Sequence, residues 1–84
     1  MYKAIVEKYV KNLDFDTFKS YVSKNYDGVL EYEVKIIYDY IKNRWLDIYN
    51  EDKSVLLELK KEVSENTFLE VEKLLDSAYK FKNR

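Results

Sequence analysis

The chain has no histidine, no cysteine, no proline and one glycine, Gly28, in 84 residues. Without His, no side chain titrates near neutral pH unless its surroundings shift it. Without Cys there is no thiolate nucleophile, no disulfide and no sulfur ligand for zinc. One glycine cannot build a glycine-rich phosphate loop. Without Pro, and with Gly at one place, little interrupts a helix. The charges also lack a dominant sign. Fifteen basic residues face 16 acidic ones, for a net charge of −1. That balance gives no strong field toward nucleic acid or an anionic lipid surface. No apolar run approaches the length that spans a bilayer. The first turns carry Lys3, Glu7 and Lys8, which is not a signal-peptide pattern. Zero cysteine fits a reducing compartment, so a cytoplasmic location is expected.

What is present is apolar and aromatic. Hydrophobic residues make up 46% of the chain, and nine are Tyr, which is too apolar for a disordered segment. At this length one domain with a small core is expected.

The apolar period is helical throughout. Tyr2, Ile5, Val6, Tyr9, Val10 and Leu13 fall on one stripe. Asp14 then reads as an N-cap, with Leu13 and Phe18 as a hydrophobic staple. The second helix carries Phe15, Phe18, Tyr21 and Val22 and ends near Asn25, before a turn at Asp27–Gly28. A third helix starts at Leu30 or Glu31 and runs to Arg44 or Trp45. Glu31 and Glu33 sit in its first turn, where carboxylates suit the helix dipole. Its main stripe is Val34, Ile37, Tyr38, Ile41 and Trp45, and a second is Tyr32, Ile36 and Tyr40. Two apolar faces mark a central helix. Residues 46–52 read as a connection with an irregular turn.

Asp52 caps a fourth helix with Val55, Leu56, Leu59 and Val63 inward. Ser64 caps a fifth with Phe68, Val71, Leu74, Leu75, Ala78 and Tyr79 on one side. Fraying is expected over residues 80–84. The starts at Asp14 and Ser64 share a pattern (apolar, cap, two residues, Thr, Phe) but the remaining segments do not align. The likeness is one capping solution used twice, not a solenoid repeat. The expected fold is all-α, a compact bundle of four to five short helices forming a single domain over residues 1–84.

Several stretches carry a resemblance: Leu13-Asp14-Phe15-Asp16-Thr17-Phe18-Lys19-Ser20-Tyr21, Ile41-Lys42-Asn43-Arg44-Trp45, Leu57-Glu58-Leu59-Lys60-Lys61 and Val63-Ser64-Glu65-Asn66-Thr67. Together they resemble a family of short uncharacterised helical proteins, a domain of unknown function, from low-GC Gram-positive bacteria. The resemblance implies a helical fold and a bacterial cytosolic setting. It transfers no active site.

Catalytic chemistry finds little footing. Glu58/Glu62 and Glu72/Asp76 lie at i, i+4, but a di-metal carboxylate site in a bundle also needs His. Lys61, Lys73 and Lys80 lie among these carboxylates, so a solvated ion-pair face accounts for them. Ser20, Ser23, Ser54, Ser64 and Ser77 have no imidazole base. No catalytic residue, metal ligand or cofactor is expected. A helix-turn-helix could be drawn around Asp27–Gly28, but its recognition end would present Glu31 and Glu33 to phosphate. Weak nucleic-acid binding, with the tail Tyr79–Arg84 as its basic-aromatic element, is kept as an alternative. The better expectation is a non-enzymatic protein–protein interaction module, with Tyr32, Ile36, Tyr40, Trp45 and Tyr49 contacting another protein or a second copy as a homodimer. A phage- or mobile-element-encoded inhibitor of a host protein has the same features.

Overall fold

A computed structural model describes residues 2–82. It shows five helices: α1 Tyr2–Asn12, α2 Phe15–Asn25, α3 Glu31–Tyr49, α4 Lys53–Glu62 and α5 Glu65–Lys82. Among the described residues there is no strand. The fold is therefore an all-α bundle of short helices, with a radius of gyration of 12.3 Å.

The local starts follow the sequence. Asp14 accepts from the Thr17 N–H at 2.7 Å and Asp52 from the Ser54 N–H at 2.9 Å. Ser64 accepts from the Thr67 N–H at 3.3 Å. Leu13 and Phe18, the staple pair, are both buried. Gly28 has φ +78°, and a Cβ there would lie 2.9 Å from Asn66 Nδ2. The α2–α3 loop thus uses its glycine both to turn and to approach the first turn of α5.

Other ends are held by side chains from distant helices. Glu33 is fully buried, at 0% exposure. Its carboxylate accepts from the Leu30 N–H at 3.1 Å, which closes the start of its own helix. It also accepts from the Ser64 N–H at 2.6 Å and the Thr67 hydroxyl at 2.8 Å, which closes the start of α5. One carboxylate therefore serves two positive helix ends. At the opposite pole, Lys42 donates to the carbonyls of Val10, Lys11 and Leu13 at 2.8, 3.2 and 3.1 Å. Tyr38, one turn earlier, donates to Leu13 O at 2.9 Å. The last carbonyls of α1 are thus satisfied by α3. The same device recurs one helix pair later: Tyr79 donates to Ile48 O at 2.6 Å and Lys82 to Tyr49 O at 2.5 Å, so α5 satisfies the end of α3. A cation at a helix C-terminus also complements the dipole.

These clamps explain two departures from the sequence reading. The third helix does not stop at Arg44 or Trp45. It kinks at Arg44 (φ −134°, ψ 28°) and continues to Tyr49. At the kink the Arg44 guanidinium reaches Glu58 on α4 at 2.6 Å and Asp47 at 3.6 Å. Beyond it, Trp45, Ile48 and Tyr49 meet apolar cover from α1 and α5. The connection shrinks to residues 50–52, with Glu51 at φ 60°. The fifth helix likewise runs through Lys82, because Lys82 is anchored on Tyr49 O and on Glu51 at 3.3 Å. Residues 83 and 84 of the expected frayed tail lie outside the described residues.

The central buried cluster comprises Leu13, Phe18, Val22, Val34, Ile37, Leu59 and Val71, and Val55 of α4 is buried at 0% exposure. Ile36, Tyr38, Tyr40 and Ile41 of α3 pack against the cluster as well. The stripe of α1 is covered unevenly: Val10 and Leu13 are buried, Tyr2 and Val6 are half-buried, and Ile5 and Tyr9 are 66% and 64% exposed. Packing on α3 covers one edge of that stripe, and among the described residues no further helix covers Ile5 and Tyr9.

The Lys42 clamp makes a prediction. Lys42→Met keeps the apolar stem and removes the three contacts to the end of α1. Stability should fall by about 1–2 kcal/mol. Amide exchange should speed up in α1 well before α3. Unchanged exchange in residues 2–12 would show that the clamp does not hold the helix.

Candidate functional site

The five aromatic and aliphatic residues singled out in the sequence occupy two different places. Tyr32, Ile36 and Tyr40 stand on the first part of α3, toward α4. Tyr32 is 59% exposed, whereas Ile36 and Tyr40 are half-buried against the core. The Tyr40 hydroxyl donates to Glu62 of α4. That bond, with burial and the nearby carboxylates of Glu62 and Glu58, raises its pKa to about 12. Trp45 and Tyr49 lie past the kink and continue the Ile41 row at i+4 and i+8. They face α1 and α5 instead.

On that side lies an apolar concavity of about 380 Å³. Val6 and Val10 contribute from α1, Ile41, Trp45 and Ile48 from α3, and Leu74, Leu75 and Ala78 from α5. One end is closed by rings: Tyr2 lies 5.2 Å from Phe81 and 6.1 Å from Tyr49, and Trp45 lies 6.3 Å from Tyr49, centroid to centroid. Ile5 and Tyr9 form an outer lip. A second hollow of about 30 Å³, between α2 and α5, meets the groove at Leu74.

The groove's strongest polar groups are engaged in the fold. Tyr79 holds Ile48 O, and burial pushes its phenol pKa up. Lys82 Nζ sits 4.5 Å above the Tyr49 ring while holding Tyr49 O and Glu51. Among the described residues, no buried side-chain polar atom lacks a partner. What the groove offers is aromatic and aliphatic area.

The carboxylate pairs are drawn into structural contacts. Glu58 pairs with Arg44 and Glu62 accepts from Tyr40, both partners coming from α3 rather than from α4's own lysines. Glu72 and Asp76 lie exposed on α5. At the start of α3, Glu31 pairs with Lys19 of α2 and Glu33 is buried. That end presents no cationic group of α3's own to a phosphate. Among the described residues, no helix is long and apolar enough to cross a membrane.

The groove was partly hidden from sequence reasoning. The sequence singles out Trp45 and Tyr49, but places Ile5 and Tyr9 only on the α1 stripe with Val6 and Val10. No family model, no curated protein and no solved structure matches this chain.

Proposed function

We propose that this chain is a small, non-enzymatic interaction module that binds another polypeptide through the groove between α1, the end of α3 and α5. The observation that carries this reading is the lip. Ile5 and Tyr9, at 66% and 64% exposure, adjoin an apolar concavity of about 380 Å³. Contiguous exposed apolar area of this kind marks interaction sites on small proteins. The aromatic lining supports a polypeptide partner, since Tyr and Trp dominate interface hot spots. The composition supports a non-enzymatic role, because neither His nor Cys is present to act as base or nucleophile. The likeness to short helical proteins of low-GC Gram-positive bacteria supports a bacterial cytosolic setting. Tyr32 stays outside this surface, on the far side of α3.

Site-specific photo-cross-linking tests the proposal. A benzophenone amino acid is placed at Tyr9 on the lip and, as control, at Ser20 on the exposed polar side of α2. After irradiation in cells that express the chain, position 9 should yield discrete polypeptide adducts and position 20 should not. Absence of any adduct at position 9, or equal labelling at both, would remove the groove as a binding surface.

A further inference from the structure

We infer that the occupant of the groove is a second copy of this chain, paired about a two-fold axis. The inference rests on the interaction-module reading and names its partner. Area is the first argument. The chain exposes 5974 Å². A monomeric protein of its 10.2 kDa mass exposes about 5,300 Å². The excess is about 650 Å², close to the roughly 800 Å² that each partner contributes to a standard interface. Elongation does not account for it, because the 12.3 Å radius of gyration is near the roughly 12 Å expected for this length. Part of that surface is the exposed pair Ile5 and Tyr9 beside the groove.

Shape is the second argument. An isologous contact needs a surface that complements itself, so a projection must lie beside a recess that fits it. Here both stand on one face. Ile5 and Tyr9 project from α1, and the recess lies between α1 and α5, floored by Trp45 and Leu74. Two copies related by a two-fold axis can each seat the lip of one in the recess of the other. The product is a layer of α1 and α5 from both copies, packed as antiparallel helices pack in bundles. Charge does not oppose it, since each copy carries a net charge of only −1.

The test is sedimentation equilibrium of the full chain at micromolar concentration, with far-UV circular dichroism alongside. The wild-type chain should show twice the 10.2 kDa chain mass. Ile5→Lys should halve it without loss of helix signal, because Ile5 is exposed in the folded chain. Tyr9→Lys serves as a second lip variant should the first lose helix. The sole tryptophan, Trp45, adds a local reading: its emission should shift red on dilution of the wild type and already be red in the variant. A wild-type chain that sediments at one chain mass overturns the inference. So does a dimer that survives both lip substitutions, or one that Tyr32→Lys dissociates while Ile5→Lys does not. A one-chain mass together with position-9 adducts to a different polypeptide would overturn the dimer and leave the interaction-module reading standing. A one-chain mass with no adduct would remove both.

Discussion

Glu33→Ala is expected to lower the unfolding free energy by about 3–5 kcal/mol, because it leaves three donors without their acceptor in a buried site. Those donors are the Leu30 N–H, the Ser64 N–H and the Thr67 hydroxyl. Two helix starts would lose a cap in one substitution, and the α2–α3 loop would lose its hold on α5. Glu33→Gln should cost less, about 1–3 kcal/mol, since one amide oxygen can still accept while the amide nitrogen faces a donor. The wild type also carries a pH dependence that both variants lose. Burial alone would raise the Glu33 carboxyl, but the bonds from Ser64, Thr67 and Leu30 outweigh it and hold it below the ordinary value of 4.5. A carboxyl depressed in the folded chain stabilises above its unfolded pKa. That contribution fades as pH falls from about 4.5 through the lower folded value. Asp14, Glu31 and Asp52 are also held low, by Thr17, Lys19 and Ser54 in turn, but they lie at the surface and add less. Urea midpoints measured from neutral pH downward should therefore fall less steeply in Glu33→Gln than in the wild type. Parallel acid limbs would show that another group carries the pH dependence.

Glu33 also marks the boundary of what the sequence discloses. Asp14, Asp52 and Ser64 find their partners two or three residues away, so their roles can be read from spacing. Glu33 was legible as an acidic residue in a first turn. Its partners at Ser64 and Thr67 lie 31 and 34 residues downstream, and nothing local points to them. The same holds for Lys42 on the end of α1 and Lys82 on the end of α3. The same is true of the length of α3: residues 46–49 have weak local signals, and α5 holds the helix end through the carbonyls of Ile48 and Tyr49. Helical periodicity carries a matching limit for the candidate site. It places Ile5 and Tyr9 on one side with Val6 and Val10, but cannot say how far a neighbour reaches across that side. Trp45 and Tyr49 could be picked out as surplus aromatics, yet their separation from Tyr32 appears only once α3 has a face toward α4 and another toward α1 and α5.

Leu59→Ala is expected to cost about 2–5 kcal/mol, the range for deleting a buried leucine side chain where the site cannot collapse. Leu59 is 2% exposed and belongs to the central cluster, and α4 offers only Val55 beside it as a fully buried anchor. A chain of 84 residues has roughly 4–12 kcal/mol of stability, so the variant should lose a large part of its folded margin. Ile5→Ala should stay within about 0.5 kcal/mol, because its side chain is already in water. Both are read as urea midpoints at an unchanged slope, below the concentration at which copies associate, so that assembly does not add to stability. The contrast bears directly on function. Folding demands Leu59 and makes almost no demand on Ile5, which leaves position 5 free for the binding role proposed for the lip. If Ile5→Ala proves as costly as Leu59→Ala, the α1 stripe is core in solution, the groove is closed, and the surface assigned to binding does not exist.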